Sequence, residues 1–207
     1  MGDRMIRKKI EIGIDWRKLC MAIGLIMIGV LGRILLLSYA NIETVMVVAL
    51  LSGCLLGGIY CVFVPVTVMA LTDWYIYTYH YHSAFTPNTI LGITLFTWSG
   101  FVIAGFLGSS LKRKVVCSPT YVGIITGMGV IATLIYDTWT AFGWWYIVYP
   151  HTTDNLRLVY TLQLPFTLYH LMSTIIFVPI ISIPIIYLWK HAHLISMNDA
   201  EPVESAA

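Results

Sequence analysis

A chain of 207 residues that is 58% hydrophobic and only 11% charged carries less than half the charged fraction of a soluble domain, roughly 25%. That excludes a water-soluble globule, because a body this small has no interior large enough to hide so much apolar surface. The net charge of +2 marks no nucleic-acid partner, since the basic residues stand at the ends of apolar runs rather than along one face.

Six apolar runs follow in chain order. Residues 19–38 are apolar apart from Arg33, residues 45–61 carry no charge, and residues 62–77 carry only Asp73. Residues 88–111 are uncharged, 121–141 hold only Asp137, and 165–189 contain no acid, Lys or Arg. Each run approaches the ~20 residues that cross ~30 Å of hydrocarbon. The second and third are short and adjoin, which predicts a hairpin turning near residues 57–60 and Cys61, with one broken helix as the alternative. The predicted fold class is an all-α integral membrane protein, a six-helix transmembrane bundle over residues 19–190. A basic segment (1–18) precedes it and a polar tail (191–207) follows.

Lys and Arg set the orientation. Arg4, Arg7, Lys8, Lys9, Arg17 and Lys18 precede the first span, Lys112, Arg113 and Lys114 separate the fourth and fifth, and Lys190 follows the last. With six spans all of these fall on one side, which places both termini in the cytoplasm of a multi-pass plasma-membrane protein. The N-terminus does not read as a secretory signal peptide, because its charged region is long and includes Glu11 and Asp15. Cys20, Cys54, Cys61 and Cys117 show no CxxC or zinc spacing and are expected to be reduced packing residues.

On this topology every membrane-embedded charge lies in the outer half: Arg33 on span one, Glu43 in the first outer loop, Asp73 on span three, Asp137 on span five. Charges in hydrocarbon are costly and face a bundle interior or an aqueous cavity. As structural glue, Arg33 would pair with Asp137 or Glu43. Trp98 sits too deep in span four for an interfacial belt, and shares a helical face with Thr94 and Phe101. Thr133, Asp137 and Thr140 form a second half-polar face, and Gln163, Thr167, His170 and Thr174 a third. Together they predict a pocket with aromatic walls and a few hydrogen-bonding groups. The outer loops, near residues 78–87 and 142–162, are rich in Tyr, Trp and His. Small residues at four-residue spacing (Gly53 and Gly57, Gly100, Ala104 and Gly108, Gly123 and Gly127) are expected to pack the spans. No P-loop, GxSxG or dinucleotide fingerprint occurs, so no catalytic site and no cofactor are predicted.

The residues Gly32–Arg33, Asn41–Ile42–Glu43–Thr44, Gly53, Gly57, Gly58 and Asp73, with Phe96–Thr97–Trp98–Ser99–Gly100–Phe101 and Tyr136–Asp137–Thr138–Trp139, resemble the substrate-binding S component of energy-coupling factor (ECF) vitamin transporters. The resemblance implies an outward pocket built from the outer ends of spans four to six and capped by the loops, above all residues 38–44. It adds Asn41 and Trp139 to the candidate substrate-binding residues Arg33, Glu43, Asp73, Trp98, Asp137 and His170. It also implies a vitamin-like ligand, a transmembrane coupling subunit, cytoplasmic ATPases that hydrolyse ATP for the transport step, and toppling of the S component to release its ligand. Span one departs from the family habit, carrying Ala22, Gly24, Gly29 and Gly32 in place of an AxxxA docking pair. Two other readings come from different classes: an accessory structural subunit of a membrane enzyme complex, or a metal-binding protein using His80 and His82 with His151 and His170.

Overall fold

The computed structural model describes residues 15–39, 41–79, 85–112 and 115–198, with side chains described as far as residue 191. Among the described residues six α-helices run up and down a single bundle: α1 (Trp16–Leu35), α2 (Val45–Leu51), α3 (Tyr60–Tyr79), α4 (Pro87–Ser109), α5 (Pro119–Val148) and α6 (Thr153–Asn198). Among the described residues there is no strand, and the all-α membrane bundle is the observed architecture. Five helices are long and apolar enough to cross a bilayer.

Local chemistry starts these helices. Asp15, Thr86 and Ser118 each accept a hydrogen bond from a backbone N–H three residues on, and Pro87 and Pro119 occupy the first turns of α4 and α5. These are N-cap residues with proline where its missing N–H costs nothing. α1 accordingly begins at Trp16, inside the segment expected to precede the bundle. Arg17 lies over the Trp189 ring at 5.8 Å, which brings the start of α1 to the far part of α6. Lys112, at the end of α4, donates to the Leu56 carbonyl at 2.7 Å. One end of the bundle therefore gathers Arg17, Leu56, Lys112 and Trp189 and is here called the basic end. The opposite end holds residues 36–39, 41–44, 85–87 and 149–152, with Tyr79.

The second apolar run behaves differently from a span. α2 continues as a π-helical turn, Ser52–Leu56, and the chain reverses at Gly57 and Gly58, whose φ angles are +65° and +58°. Such left-handed backbone favours glycine. The hairpin forms as expected, yet its first arm, Val45–Leu56, falls below the length of a crossing helix and every residue in it is buried. It is a core plug inside the other five helices. α4 approaches it backbone to backbone, since a Cβ at Gly53 would fall on the Gly105 carbonyl and one at Gly108 on the Leu50 carbonyl.

Three sequence expectations are corrected. Residues 142–162 are helical except for a short turn at 149–152, because α5 runs on to Val148 and α6 starts at Thr153. Thr152 caps α6 by accepting from the Asn155 N–H at 3.3 Å, and the helix passes through Pro165 rather than beginning there, as membrane helices tolerate. Gly123 and Gly127 face outward with nothing near a Cβ, while Gly129 makes the inward contact, against Thr174 and Val178. Cys54 and Cys61 are buried, but Cys20 and Cys117 are exposed rather than core residues. The tail beyond residue 198, the N-terminal residues 1–14, Arg113, Lys114, His80 and His82 lie outside the described residues.

A candidate ligand site at the polar end

The chain leaving α1 does not stay at the surface. Residues 41–44 descend into the bundle, where the Ser173 hydroxyl accepts from the Glu43 N–H and donates to the Glu43 carbonyl, each at 3.1 Å. Thr44 donates to the Ile28 and Gly29 carbonyls at 3.3 and 3.4 Å. The turn into this segment uses Asn41 with φ +57°, a conformation Asn adopts more readily than most residues. These bonds carry the Glu43 carboxylate to the centre of the polar end.

There it joins a continuous set of ionisable groups. Arg33 of α1 donates from Nη1 to Asp73 Oδ1 of α3 at 2.9 Å and to Thr72 Oγ1 at 2.7 Å. Its Nε lies 3.9 Å from Glu43 Oε2. Trp98 of α4 donates its indole N–H to Asp73 Oδ2 at 2.8 Å, so Asp73 has a partner on each oxygen. On the other side of Glu43, His170 Nε2 of α6 stands 3.8 Å from Glu43 Oε1, and His170 Nδ1 bonds Asp137 Oδ1 of α5 at 2.9 Å. Asp137 and His170 are 3% and 1% exposed. Asp137 Oδ2 and His170 Nε2 are buried without a hydrogen-bond partner. The chain Trp98–Asp73–Arg33–Glu43–His170–Asp137 thus ties α1, α3, α4, α5, α6 and the descending loop together.

Charge counting makes this cluster unusual. Three carboxyl groups meet one guanidinium and one imidazole, so with all three ionised negative charge is in excess whether His170 is neutral or protonated. Unpaired charge in a low-dielectric interior costs several kcal/mol per ion. Arg33 spends its contacts on Asp73, Thr72 and Glu43, and Asp137 has only the imidazole.

Two cavities flank the cluster. One of about 570 Å³ is lined by α4, α5 and α6, with Asn41 from the first loop, and its polar groups include Asn41, Asp137, Thr97, Thr140 and Gln163. Phe96, Tyr136, Trp144 and Phe166 supply aromatic wall. The second, about 550 Å³, is lined by residues of the first loop together with Arg33, Glu43 and Asp73, and shares Asn41, Ile93, Tyr136 and Trp144 with the first. Cavities of a few hundred cubic ångströms with mixed walls are the usual size of small-molecule sites.

Seven of the eight sequence-nominated residues belong to this assembly: Arg33, Asn41, Glu43, Asp73, Trp98, Asp137 and His170. Trp98 serves by holding Asp73, and it lines a separate, largely apolar groove between α3 and α4 with Thr94. Trp139 stands apart. It is 37% exposed, donates to Ser99 at 2.9 Å and packs on Phe96 with ring centroids 4.9 Å apart. Of the two pairings proposed for Arg33, the one with Glu43 is present at long range and Asp137 instead engages His170. The residues passed over as candidates are Tyr136, Trp144 and Ser173. Tyr136 packs against His170 edge to face at 5.4 Å, and its place one residue before Asp137 was the available signal. Among the described residues, no group of three His, Cys, Asp or Glu side chains has metal-holding geometry. His151 bonds the Tyr146 carbonyl at 2.8 Å.

Residues 14–194 match the profile of a family of unknown function (DUF6580), and the chain belongs to that family. No curated protein and no solved structure matches it.

Proposed function

We propose that this chain is the substrate-binding subunit of an importer of the ECF type, capturing a small vitamin-like molecule from outside the cell. The observation that carries the reading is the 570 Å³ cavity with Asp137 in its wall, lined by α4, α5 and α6 with Asn41 of the first loop at its side. By the positive-inside rule, the basic end with Lys112 and both termini faces the cytoplasm, so the cavity opens outward. Uptake against a gradient needs an energy source, and the sequence offers no nucleotide-binding motif. Among the described residues, the charged side chains between the two ends of the spans, Arg33, Asp73 and Asp137, lie toward the polar end, while Arg17, Lys18 and Lys190 stand at the basic end, so no continuous chain of charged groups crosses the membrane for an ion gradient to drive. A transmembrane coupling subunit and cytoplasmic ATPases therefore supply the power stroke.

Reconstitution tests this. In liposomes the purified chain is expected to bind solute without concentrating it under a proton or sodium gradient. Accumulation is expected only when coupling subunit, ATPases and ATP are added. Gradient-driven accumulation by the chain alone overturns the reading, and no accumulation with the complete module favours an accessory-subunit role.

A further inference from the structure

We infer that the cavity takes an organic cation, with the Asp137 carboxylate in its wall as the counter-charge. The inference rests on the ligand-capture reading above and names the chemical class of what is captured.

Three independent observations converge on it. Carboxylates outnumber cationic groups in the buried cluster in either protonation state of His170. Asp137 Oδ2, buried and without a hydrogen-bond partner, belongs to a residue that lines the cavity. A carboxylate oxygen only accepts, so the group that satisfies it must be an N–H or O–H donor, and one bearing positive charge also offsets the excess. Finally, the walls contributed by Phe96, Tyr136, Trp144 and Phe166 are π-faces of the kind that attract ammonium and other cationic nitrogens.

An anionic ligand finds no equivalent. None of the residues lining this cavity is Lys or Arg. Arg33 faces the adjoining cavity, with its guanidinium bound to Asp73 and Thr72. A carboxylate placed against Asp137 would add a fourth negative charge to the cluster. Neutral donors satisfy Oδ2 yet leave the charge excess untouched. The cation is thus the class that meets both demands, and Thr97, Thr140 and Gln163 remain to read the rest of the molecule by hydrogen bonding.

The test uses the full chain in lipid nanodiscs and three probes of one shape: 2-phenylethylammonium, 2-phenylethanol and 3-phenylpropionate. Binding is followed by calorimetry and by quenching of tryptophan fluorescence, since Trp144 lines the cavity. The ammonium is expected to bind at least about ten-fold more tightly than either other probe. Asp137→Asn is expected to erase about ten-fold of the preference for ammonium over alcohol. Equal or tighter binding of the alcohol or the carboxylate by the wild-type chain overturns the inference, as does binding of none of the three. The wild-type series decides even where the variant fails to fold. Ammonium selectivity in a chain that assembles with no coupling subunit leaves this inference standing and ends the importer reading. Carboxylate selectivity in a chain that does assemble with one has the opposite meaning.

Discussion

The two ends of this bundle are held together by different physics. At the basic end, helices meet backbone to backbone: Gly53, Gly105 and Gly108 let α2, its π turn, α3 and α4 approach until a single methyl group would collide with a carbonyl. Cys54 Sγ and the Tyr121 hydroxyl hydrogen-bond at 2.6 Å, and Lys112 covers the end of the π turn. At the polar end, long charged and aromatic side chains hold the helices apart, and two cavities lie between them. In a solvent as apolar as the side chains, close small-residue contact is what makes helices associate. The contrast teaches a division of labour: one end secures the fold by direct backbone contact among α2, α3 and α4, and the other can hold a ligand because it keeps space between α4, α5 and α6.

Substitutions at each end sharpen this contrast. The largest effect is expected from Arg33→Ala, which leaves Asp73 and Glu43 without their cation. Breaking a buried pair from one side costs ~3–5 kcal/mol, discounted here toward the lower figure because the Arg33 side chain is 20% exposed. Unfolding in mixed micelles measures it, and Arg33→Ala combined with Asp73→Asn is expected to recover part of the loss. Recovery of nothing would mean that the pair adds no coupling.

Next comes Gly53→Ala at the closed end. Overpacking a tight contact costs ~1–3 kcal/mol, and the upper part of that range is expected because the obstacle is backbone rather than a side chain that can swing away. A melting curve like that of the unaltered chain would show that the closed end has slack. Trp98→Phe is smaller. It keeps a ring but removes a hydrogen bond to a carboxylate, worth ~1.5–3 kcal/mol, with the low figure expected at this half-buried indole. Gly127→Ala is the control, expected to fall within ~0.5 kcal/mol of the unaltered chain, since its Cβ would meet open space. Side-specific labelling then fixes which end faces the cytoplasm. With the other cysteines replaced, Cys117 should react only after the membrane is opened, whereas a cysteine at Thr153 should react in intact cells. The reverse pattern would invert the topology.

How far the sequence disclosed this arrangement depends on the kind of signal. Hydropathy located the helices because each long run has to match a bilayer, and it failed at residues 142–162 because Trp, Tyr and Thr look like loop residues yet are carried in helices that run on past the apolar stretch. The cost of charge in hydrocarbon nominated Arg33, Glu43, Asp73 and Asp137 together. Which carboxylate meets which cation was not legible, since that depends on how each helix is rotated about its axis. The glycine spacing was ambiguous for the same reason: Gly123 and Gly127 repeat as neatly as Gly53 and Gly57, yet point the other way. The resemblance nominated Asn41, but its backbone turn, with φ +57°, was not legible in the sequence.

The buried plug has a consequence for how the protein is made. Each of the five long helices can reside alone in a bilayer with its backbone satisfied, the starting condition for helices that insert first and associate afterwards. Val45–Leu56 cannot: at 1.5 Å per residue its twelve residues reach only about 18 Å, leaving the polar backbone around Gly57 and Gly58 stranded in hydrocarbon, where unsatisfied groups cost several kcal/mol each. This segment has to enter alongside neighbours already in place, and Lys112, which caps its last turn, is synthesised more than fifty residues later. Assembly of the bundle therefore waits for α4 to emerge, and the newly made chain spends that interval with its future core still unhoused.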